Sequence, residues 1–159
     1  MEPNIGISSK GREAVGKLLN TLLSDEVALY VKTRNFHWNV AGPHFNDLHK
    51  FFEGQYEALD EILDDVAERA RALGVPAYGS FTEFSRATRL KENPSSRPLS
   101  APEMVRQLLA DHEAVIRNLR RDHEVPAKLG DAGTDDFLVG LIEEHEKMAW
   151  MLRAMAGKG

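Results

Sequence analysis

Residues 44–73 carry a regular series of side chains of the types that bind metal ions. The series recurs at intervals of four, four, three, four and four residues, and it consists of His49, Glu53, Glu57, Asp60, Asp64 and Glu68. In a helix these intervals place all six side chains on one face. Like charges four residues apart repel each other, which is a mild cost unless the face serves to gather cations. Spacing alone also leaves open a simpler interpretation, a solvated acidic face.

The chemistry of these side chains narrows the choice of ion. Imidazole and carboxylate groups together suit iron, zinc or manganese. The chain has no cysteine, which excludes disulfides, thiolate catalysis, zinc fingers and iron–sulfur clusters. The same stretch holds eight acidic and three basic residues, a difference of −5 that equals the net charge of all 159 residues. An acidic balance argues against general nucleic-acid binding, which usually needs a basic surface.

One distance restricts how a metal site could form. His49 and Asp64 are 15 residues apart, which on a straight helix is about 22 Å, too far to hold one ion or two ions about 4 Å apart. Either there is no site, or the two ends of the series meet across a two-fold axis between antiparallel copies of the helix. Di-iron sites inside one bundle use Glu-x-x-His pairs, and no histidine here has Glu three residues before it. We therefore expect no conventional site within a single chain.

Four long helices are predicted to position these groups, over residues 9–39, 44–73, 100–125 and 134–157. In each, apolar residues recur three or four positions apart, and in the first this stripe extends to His37. Glycine and proline end the first three helices, at Gly42-Pro43, Gly74-Val75-Pro76 and Val125-Pro126. Ser100 and Glu103 form a capping box at the start of the third.

The connector over residues 75–99 is long for a structureless loop in a compact domain. Ser80 to Glu83 has the pattern of a second capping box, which predicts a short helix that carries Phe81 and Phe84 onto an apolar surface. A turn is expected at 93–98. Short links on either side of this crossover predict an all-α, ferritin-like four-helix bundle with a short extra helix between helices two and three.

Length and composition predict one domain over residues 1–159, with short flexible tails at 1–8 and 157–159. No apolar run approaches the roughly 18–20 residues of a membrane span, and residues 1–10 lack the apolar core of a signal peptide. The expected location is therefore the cytoplasm, in association with the nucleoid if the protein binds DNA, and without membrane association.

Three segments of the sequence resemble one known family. The first reads Asn35-Phe36-His37-Trp38-Asn39-Val40, then Gly42-Pro43, Phe45 and Leu48-His49; the second is Asp64-x-x-Ala67-Glu68-Arg69; the third is Glu144-His145-Glu146-Lys147-x-Ala149-Trp150-Met151-Leu152. Together they resemble the Dps mini-ferritins (DNA-binding proteins from starved cells). The resemblance covers nearly the whole chain apart from the extreme termini and part of the connector.

The resemblance implies a dinuclear ferroxidase centre at each two-fold dimer interface. His37, His49 and the acid four residues after His49 would come from one subunit, and Asp64 and Glu68 from its partner. The family usually has Asp where this chain has Glu53, so the affinity or the spacing of the irons is expected to differ. Relatives often carry an acid at the position of Lys50 that helps to nucleate mineral. The acids that could compensate are Glu57, Asp60 and Glu61.

Two tryptophans and two further histidines are also candidate residues. Trp38 and Trp150 either pack or act in redox chemistry, since a tryptophan beside the iron centre of relatives can give up an electron. His112 and His145 lie on apolar stripes and are expected in the core.

The acids near the start of the fourth helix also have two interpretations. Asp131, Asp135 and Asp136 suit helix capping and the helix dipole. The resemblance also places them at a three-fold pore, where negative potential attracts cations, and Asp131 and Asp136 match the pore position better than Asp135 does.

The family forms hollow dodecamers, so the resemblance implies a homododecamer with iron as its substrate and cargo. Fe²⁺ would enter through acidic pores and be oxidised at the dimer interfaces, with H₂O₂ usually preferred over O₂, and ferric mineral would fill the cavity. Zinc is a substitute ion, and a shell that binds only zinc, or no metal, is one alternative function.

A second alternative is a protein that compacts DNA and has little ferroxidase activity. DNA-condensing relatives often have lysine-rich termini, whereas the charged residues of 1–12 are Glu2, Lys10, Arg12 and the tail adds only Lys158. A basic cluster at Arg117, Arg120 and Arg121 could offset the net charge locally, but a solvated helix face is the favoured interpretation of it. Weak or absent DNA binding is predicted.

Overall fold

The computed structural model describes residues 2–92 and 97–157 of the chain. These residues contain no strand and form six helices, which are α1 (Ser9–Asn39), α2 (Phe45–Ala72), α3 (Phe81–Ala87), α4 (Ala101–Asp122), α5 (Glu124–Lys128) and α6 (Ala132–Ala156). Most of the turn expected at 93–98, together with Lys158, lies outside the described residues. Among the helices that are described, none has the apolar length that crossing a bilayer requires.

The four long helices pack as two pairs, α1 with α2 and α4 with α6, and α1 also contacts α4. The short link between α1 and α2 makes them antiparallel neighbours. All four contribute fully buried side chains to one core, among them Leu19, Leu22, Leu29, Phe52, Leu59, Leu108, Leu119, Leu138 and Leu152. The predicted all-α bundle, with a short helix in the long crossover, is confirmed.

Polar side chains mark the starts of the helices. The hydroxyl of Ser8 accepts the backbone N–H of Gly11 at 3.1 Å, and Ser80 and Glu83 satisfy each other's backbone N–H groups before α3. At the start of α4, the carboxylate of Glu103 accepts the backbone N–H of Ser100 at 2.8 Å. Both predicted capping boxes are therefore confirmed.

Two polar side chains of α1 fix the crossover. The side-chain amide of Asn20 donates to the carbonyl of Pro76 and accepts the N–H of Tyr78, both at 2.9 Å. Asp25 is fully buried; it accepts the backbone N–H of Arg89 at 2.6 Å and pairs with the Arg89 guanidinium at 2.7 Å. These bonds satisfy backbone groups that the crossover cannot pair by itself.

Two details of the prediction are wrong. The third long helix ends at Asp122, and Pro126 lies inside the separate short helix α5. Proline is tolerated in the first turn of a helix, where its missing N–H has no partner to lose, so the chain can restart a helix at Glu124. Phe81 is 85% exposed, because it occupies the first position of a helix of seven residues. Only Phe84 of the expected pair packs against the core.

The segment before α1 contacts the body of the bundle. Arg12 donates to the carbonyl of Ile7 at 2.8 Å and lies 3.3 Å from the Glu2 carboxylate. Pro3 lies so close to Gly74 that a Cβ on Gly74 would stand 2.8 Å from the proline ring. Residues 2–8 are therefore held against α1 and the end of α2.

Candidate metal centre

His37 and His49 are locked together by a reciprocal pair of hydrogen bonds. Nδ1 of His37 lies 2.8 Å from the backbone carbonyl of His49, and Nδ1 of His49 lies 2.9 Å from the carbonyl of His37. Because a carbonyl only accepts, each Nδ1 carries the proton. The rings stack with centroids 3.7 Å apart. In the neutral form of each ring Nε2 therefore keeps a free lone pair, and this is the form in which histidine binds a metal ion.

The link between α1 and α2 creates this pairing. α1 continues through His37 to Asn39, and α2 begins at Phe45. Between them, Gly42 has φ of +117°, a conformation that L residues rarely adopt. The resulting reversal places His49 beside His37, and the ring of Phe45 stacks on His49 with centroids 5.1 Å apart. Both imidazoles thus lie at the same end of the bundle.

Glu53 lies one helical turn beyond His49 and is half-buried. The hydroxyl of Tyr56 lies 3.4 Å from Oε1 of Glu53, and the Tyr56 ring meets His37 edge to face with centroids 5.2 Å apart. The Arg34 guanidinium stands 4.4 Å from the centroid of the Tyr56 ring. Burial raises the pKa of Tyr56, and the negative charge of Glu53 raises it further. The phenol is therefore a neutral donor toward Glu53.

Neither Tyr56 nor Arg34 was predicted from the sequence to belong to this region. Tyr56 follows Glu53 by three residues and Arg34 precedes His37 by three, so each lies on the same helix face as a candidate ligand. That spacing, with Tyr30 one turn before Arg34, was the available signal. Arg34 donates to the Tyr30 hydroxyl at 2.6 Å. Tyr30, Arg34 and Tyr56 therefore form one cluster beside the two histidines.

The other two candidate ligands are far from this group. α2 is continuous from Phe45 to Ala72, so Asp64 stands about 22 Å along it from His49. Asp64 and Glu68 are exposed, as are Glu57 and Asp60 between the two ends. Within the described part of one chain, no three His, Asp or Glu side chains are grouped to hold a metal ion. One chain thus presents two separate groups of candidate ligands. In one, His37 of α1 meets His49 near Glu53 of α2, and the other is Asp64 and Glu68 further along α2.

Comparisons with known proteins identify the family. A family model described as a ferritin-like domain matches residues 16–159. The chain is 34% identical over 138 residues to DNA protection during starvation protein 2 of Bacillus anthracis, covering 87% of this chain and 93% of the relative. A crystal structure of a Dps protein from Bacillus brevis superposes with a TM-score of 0.88 at 32% identity, covering 95% of this chain and all of that one. The chain belongs to the Dps family.

Two further proteins are similar to this chain over nearly its whole length. An uncharacterised low-temperature-induced protein of Nostoc sp. is 48% identical over 153 residues, covering 95% of this chain and 84% of the relative. The Dps protein of Vibrio cholerae, described as a member of a superfamily of ferritin-like diiron-carboxylate proteins, superposes with a TM-score of 0.91 at 29% identity over 98% of this chain and 97% of that chain. The ferritin-like fold and membership of the Dps family are thus established.

The acids before and within α6 have different surroundings from one another in this Dps chain. Asp131 is 2% exposed, accepts the backbone N–H of Thr134 at 3.0 Å as the N-cap of α6, and pairs with Arg69 at 2.7 Å. Asp135 is half-buried, with a carboxylate oxygen 3.0 Å from Nδ1 of His123. Asp136 is exposed and is the most accessible of the three to an approaching cation.

The two tryptophans do not pack in the core of the subunit. Trp38, next to His37, is 64% exposed, and Trp150 on α6 is 63% exposed. Arg34 lies 5.6 Å from the Trp38 ring centroid, so the indole borders the same cluster as Tyr56. His112 and His145, in contrast, are fully buried, as predicted.

Proposed function

We propose that this Dps protein oxidises Fe²⁺ and stores the ferric product. The observation that supports this most directly is the arrangement of His37 and His49, which presents two Nε2 lone pairs one turn from the carboxylate of Glu53. Neutral imidazole and carboxylate are ligands that iron accepts readily. The second support is the ferritin-like, Dps-type fold, because the Dps protein of Vibrio cholerae is described as a member of a superfamily of diiron-carboxylate proteins.

The complete centre is proposed to form between two subunits. If two α2 helices pack antiparallel about a two-fold axis, Asp64 and Glu68 of the partner subunit come opposite His37, His49 and Glu53, and the symmetry creates two identical sites. The exposure of Asp64 and Glu68 supports this, since both stay free for ligation in the isolated subunit. Each site would hold two Fe²⁺ ions, with Trp38 at its border.

The reaction balances with hydrogen peroxide as oxidant. Two Fe²⁺ ions each give one electron to H₂O₂, which takes up two protons and leaves as two molecules of water, with no hydroxyl radical released. The protein's part is to place the ligands and to gather cations with a negative field. Glu53 keeps the charge of an Asp at that position, but its extra methylene lets it turn toward Tyr56. Zinc, which accepts the same ligand types, would compete for the site.

Storage requires a closed shell, and we propose a homododecamer in the cytoplasm. Cations would enter at three-fold axes past Asp135 and Asp136, whose carboxylates lie in the first turn and a half of α6. Asp131 would act there by holding α6 in place and neutralising Arg69, because its carboxylate is buried. Ferric mineral inside the shell would protect the cell and its DNA from oxidative damage.

Stopped-flow absorbance after mixing Fe²⁺ with H₂O₂ tests the proposal. The double variant His37→Ala/His49→Ala should lose at least about tenfold in the rate of ferric formation, as expected when metal ligands are removed. His44→Ala is the matched control, because His44 is exposed in the same link and makes no side-chain capping bond. The mass of each assembly is checked by size exclusion. Equal rates in the double variant and the parent would reject the site.

DNA binding is the second candidate function, since relatives are named DNA protection during starvation proteins. The net charge of −5 opposes binding to phosphate. The segment before α1 also pairs its Glu2 with Arg12, which reduces the positive charge available there. We propose weak or absent DNA binding at neutral pH. A gel-shift assay at low salt tests it, and tight binding by the intact shell would overturn it.

A further inference from the structure

Three fully buried ionisable side chains meet inside the bundle, outside the site described above. They are Glu26 of α1, His112 of α4 and His145 of α6, each with no exposed surface. Nδ1 of His112 lies 3.0 Å from Nδ1 of His145, and Nε2 of His145 lies 3.2 Å from Oε1 of Glu26. We name these residues the interior triad. His145 is its centre, with one nitrogen directed at each neighbour.

The interior triad contains polar atoms without hydrogen-bond partners. Neither carboxylate oxygen of Glu26 accepts a regular hydrogen bond, and Nε2 of His112 has no partner. The 3.2 Å contact of Glu26 with His145 is close enough for an ion pair. A carboxylate buried without hydrogen bonds is strongly unfavourable unless a proton or a positive charge compensates it. The charge state of Glu26 is therefore tied to that of His145.

Counting protons fixes the direction of the bond between the imidazoles. One of the two facing Nδ1 atoms must carry hydrogen. If His112 carried it, His145 would be neutral with its other proton on Nε2. Glu26 would then be either an uncompensated buried anion or a protonated acid whose hydroxyl has no acceptor, since neither of its oxygens has another hydrogen-bond partner. If His145 carries it, Glu26 and His145 hold one further proton between them and the pair has no net charge. Electroneutrality in the core favours the arrangement in which Nδ1 of His145 carries the hydrogen and donates it to Nδ1 of His112.

His112 is then a neutral acceptor surrounded by few charges. Burial lowers the pKa of His112 well below its usual value, and the positive charge of His145 lowers it further. Glu26 of α1 lies on the other side of His145. From α2 the nearby side chain is the uncharged Gln55, which donates to the carbonyl of Met148 at 3.4 Å. Met148 is one helical turn after His145 on α6. The acids next to His112 on α4 are engaged elsewhere, Asp111 by Lys32 and Glu113 by Arg153.

We propose that the interior triad is an acid-sensitive switch built into each subunit. Near neutral pH its members share protons at zero net charge, and the bond from His145 to His112 joins α6 to α4. A further proton on Nδ1 of His112 removes the acceptor, sets two N–H groups against each other and gives the buried triad a net positive charge, which separates the two helices. The switch is independent of iron and of the site on α1 and α2.

The sign of the pH dependence follows from the buried acceptor. In the unfolded chain His112 takes up a proton near pH 6.5, whereas in the folded chain it resists protonation. The unfolded state therefore binds more protons below pH 6.5, and the stability that is present above this pH is lost as the pH falls. One such group raises the unfolding equilibrium constant up to about tenfold for each pH unit below 6.5.

Urea unfolding of His112→Gln and the parent, followed by helical circular dichroism between pH 8 and pH 4.5 at one protein concentration, tests the switch. Glutamine keeps an acceptor for the N–H of His145 and does not titrate. The parent should lose stability more steeply below pH 6.5, by up to about tenfold per pH unit in the unfolding constant. His44→Gln, an exposed histidine, should keep the parent slope. Parallel curves for His112→Gln and the parent would overturn the proposal.

A second measurement needs no variant. A neutron crystal structure of the deuterated protein near pH 7 should show deuterium on Nδ1 of His145 and on Nε2 of His112. Deuterium on Nδ1 of His112, or a metal ion between the two rings, would contradict the proton arrangement and with it the switch.

Discussion

The guanidinium of Arg69 lies 2.7 Å from the carboxylate of Asp131, which joins the last turns of α2 to the N-cap of α6. Arg69 also donates to the Thr134 hydroxyl at 2.8 Å. Glu68, a candidate ligand, is the residue immediately before Arg69. The ion pair therefore fixes the part of α2 that carries the second half of the proposed centre.

Asp131→Asn should destabilise the subunit by about 1–3 kcal/mol, because the buried carboxylate loses its charge toward Arg69 while the amide oxygen still caps α6. Urea unfolding measures the change. Asp136→Asn is the control; its side chain is exposed, and a change within about 0.5 kcal/mol is expected. If the two substitutions changed the free energy of unfolding equally, the ion pair between Asp131 and Arg69 would contribute no stability of its own.

Gly42→Ala should disturb the paired histidines through the backbone. The φ of +117° at Gly42 is strained for alanine, so the free energy of unfolding should fall by about 1–3 kcal/mol. Ferric formation should slow as the reversal between α1 and α2 relaxes. Gly79→Ala serves as the control, because a Cβ there meets nothing within 4 Å. Unchanged stability and rate in Gly42→Ala would contradict the role given to this turn.

Tyr56→Phe should slow iron oxidation severalfold without changing the assembly. The variant keeps the ring against His37 and removes only the hydroxyl that faces Glu53, a contact of the order of 1 kcal/mol. Stopped-flow absorbance with Fe²⁺ and H₂O₂ gives the rate. Tyr78→Phe removes a hydroxyl from a half-buried tyrosine of the crossover and should match the parent. Identical rates for both variants would exclude a role for the Tyr56 hydroxyl.

Glu53→Gln should weaken metal binding by about tenfold or more, or about 1.4 kcal/mol, because the ligand loses its charge and keeps its size. Co²⁺ titration of the assembled protein, followed by the visible absorption of the ion, measures affinity without any redox step. Glu57→Gln, one turn further and exposed, should bind as the parent does. If Glu57→Gln weakened Co²⁺ binding more than Glu53→Gln did, the metal site would lie further along α2 than we propose.

Local interactions explain what could be predicted from the sequence. The bounds of α1, the capping boxes at Ser80 and Ser100 and the burial of His112 and His145 depend on residues within a few positions of each other. Such patterns are visible in the chain itself. The family resemblance added the list of candidate ligands, and the spacing on α2 predicted that any complete site would need a second subunit.

Contacts between distant parts of the chain could not be predicted. The exchange of Nδ1 hydrogen bonds between His37 and His49 depends on the angle of the link at Gly42. The burial of Asp131 follows from its meeting with Arg69, 62 residues earlier. The sequence around Glu26 gave no sign of its partners, since His112 and His145 reach it only after α4 and α6 have packed on α1.

The unbroken length of α2 also restricts how this protein can evolve. An insertion of one residue between Glu53 and Asp64 would rotate everything beyond it by about 100° and advance it by about 1.5 Å. Asp64 and Glu68 would then turn away from the opposite subunit together. Substitutions along this stretch are tolerable one at a time, whereas a change in its residue count would disable both copies of the proposed centre in a single event.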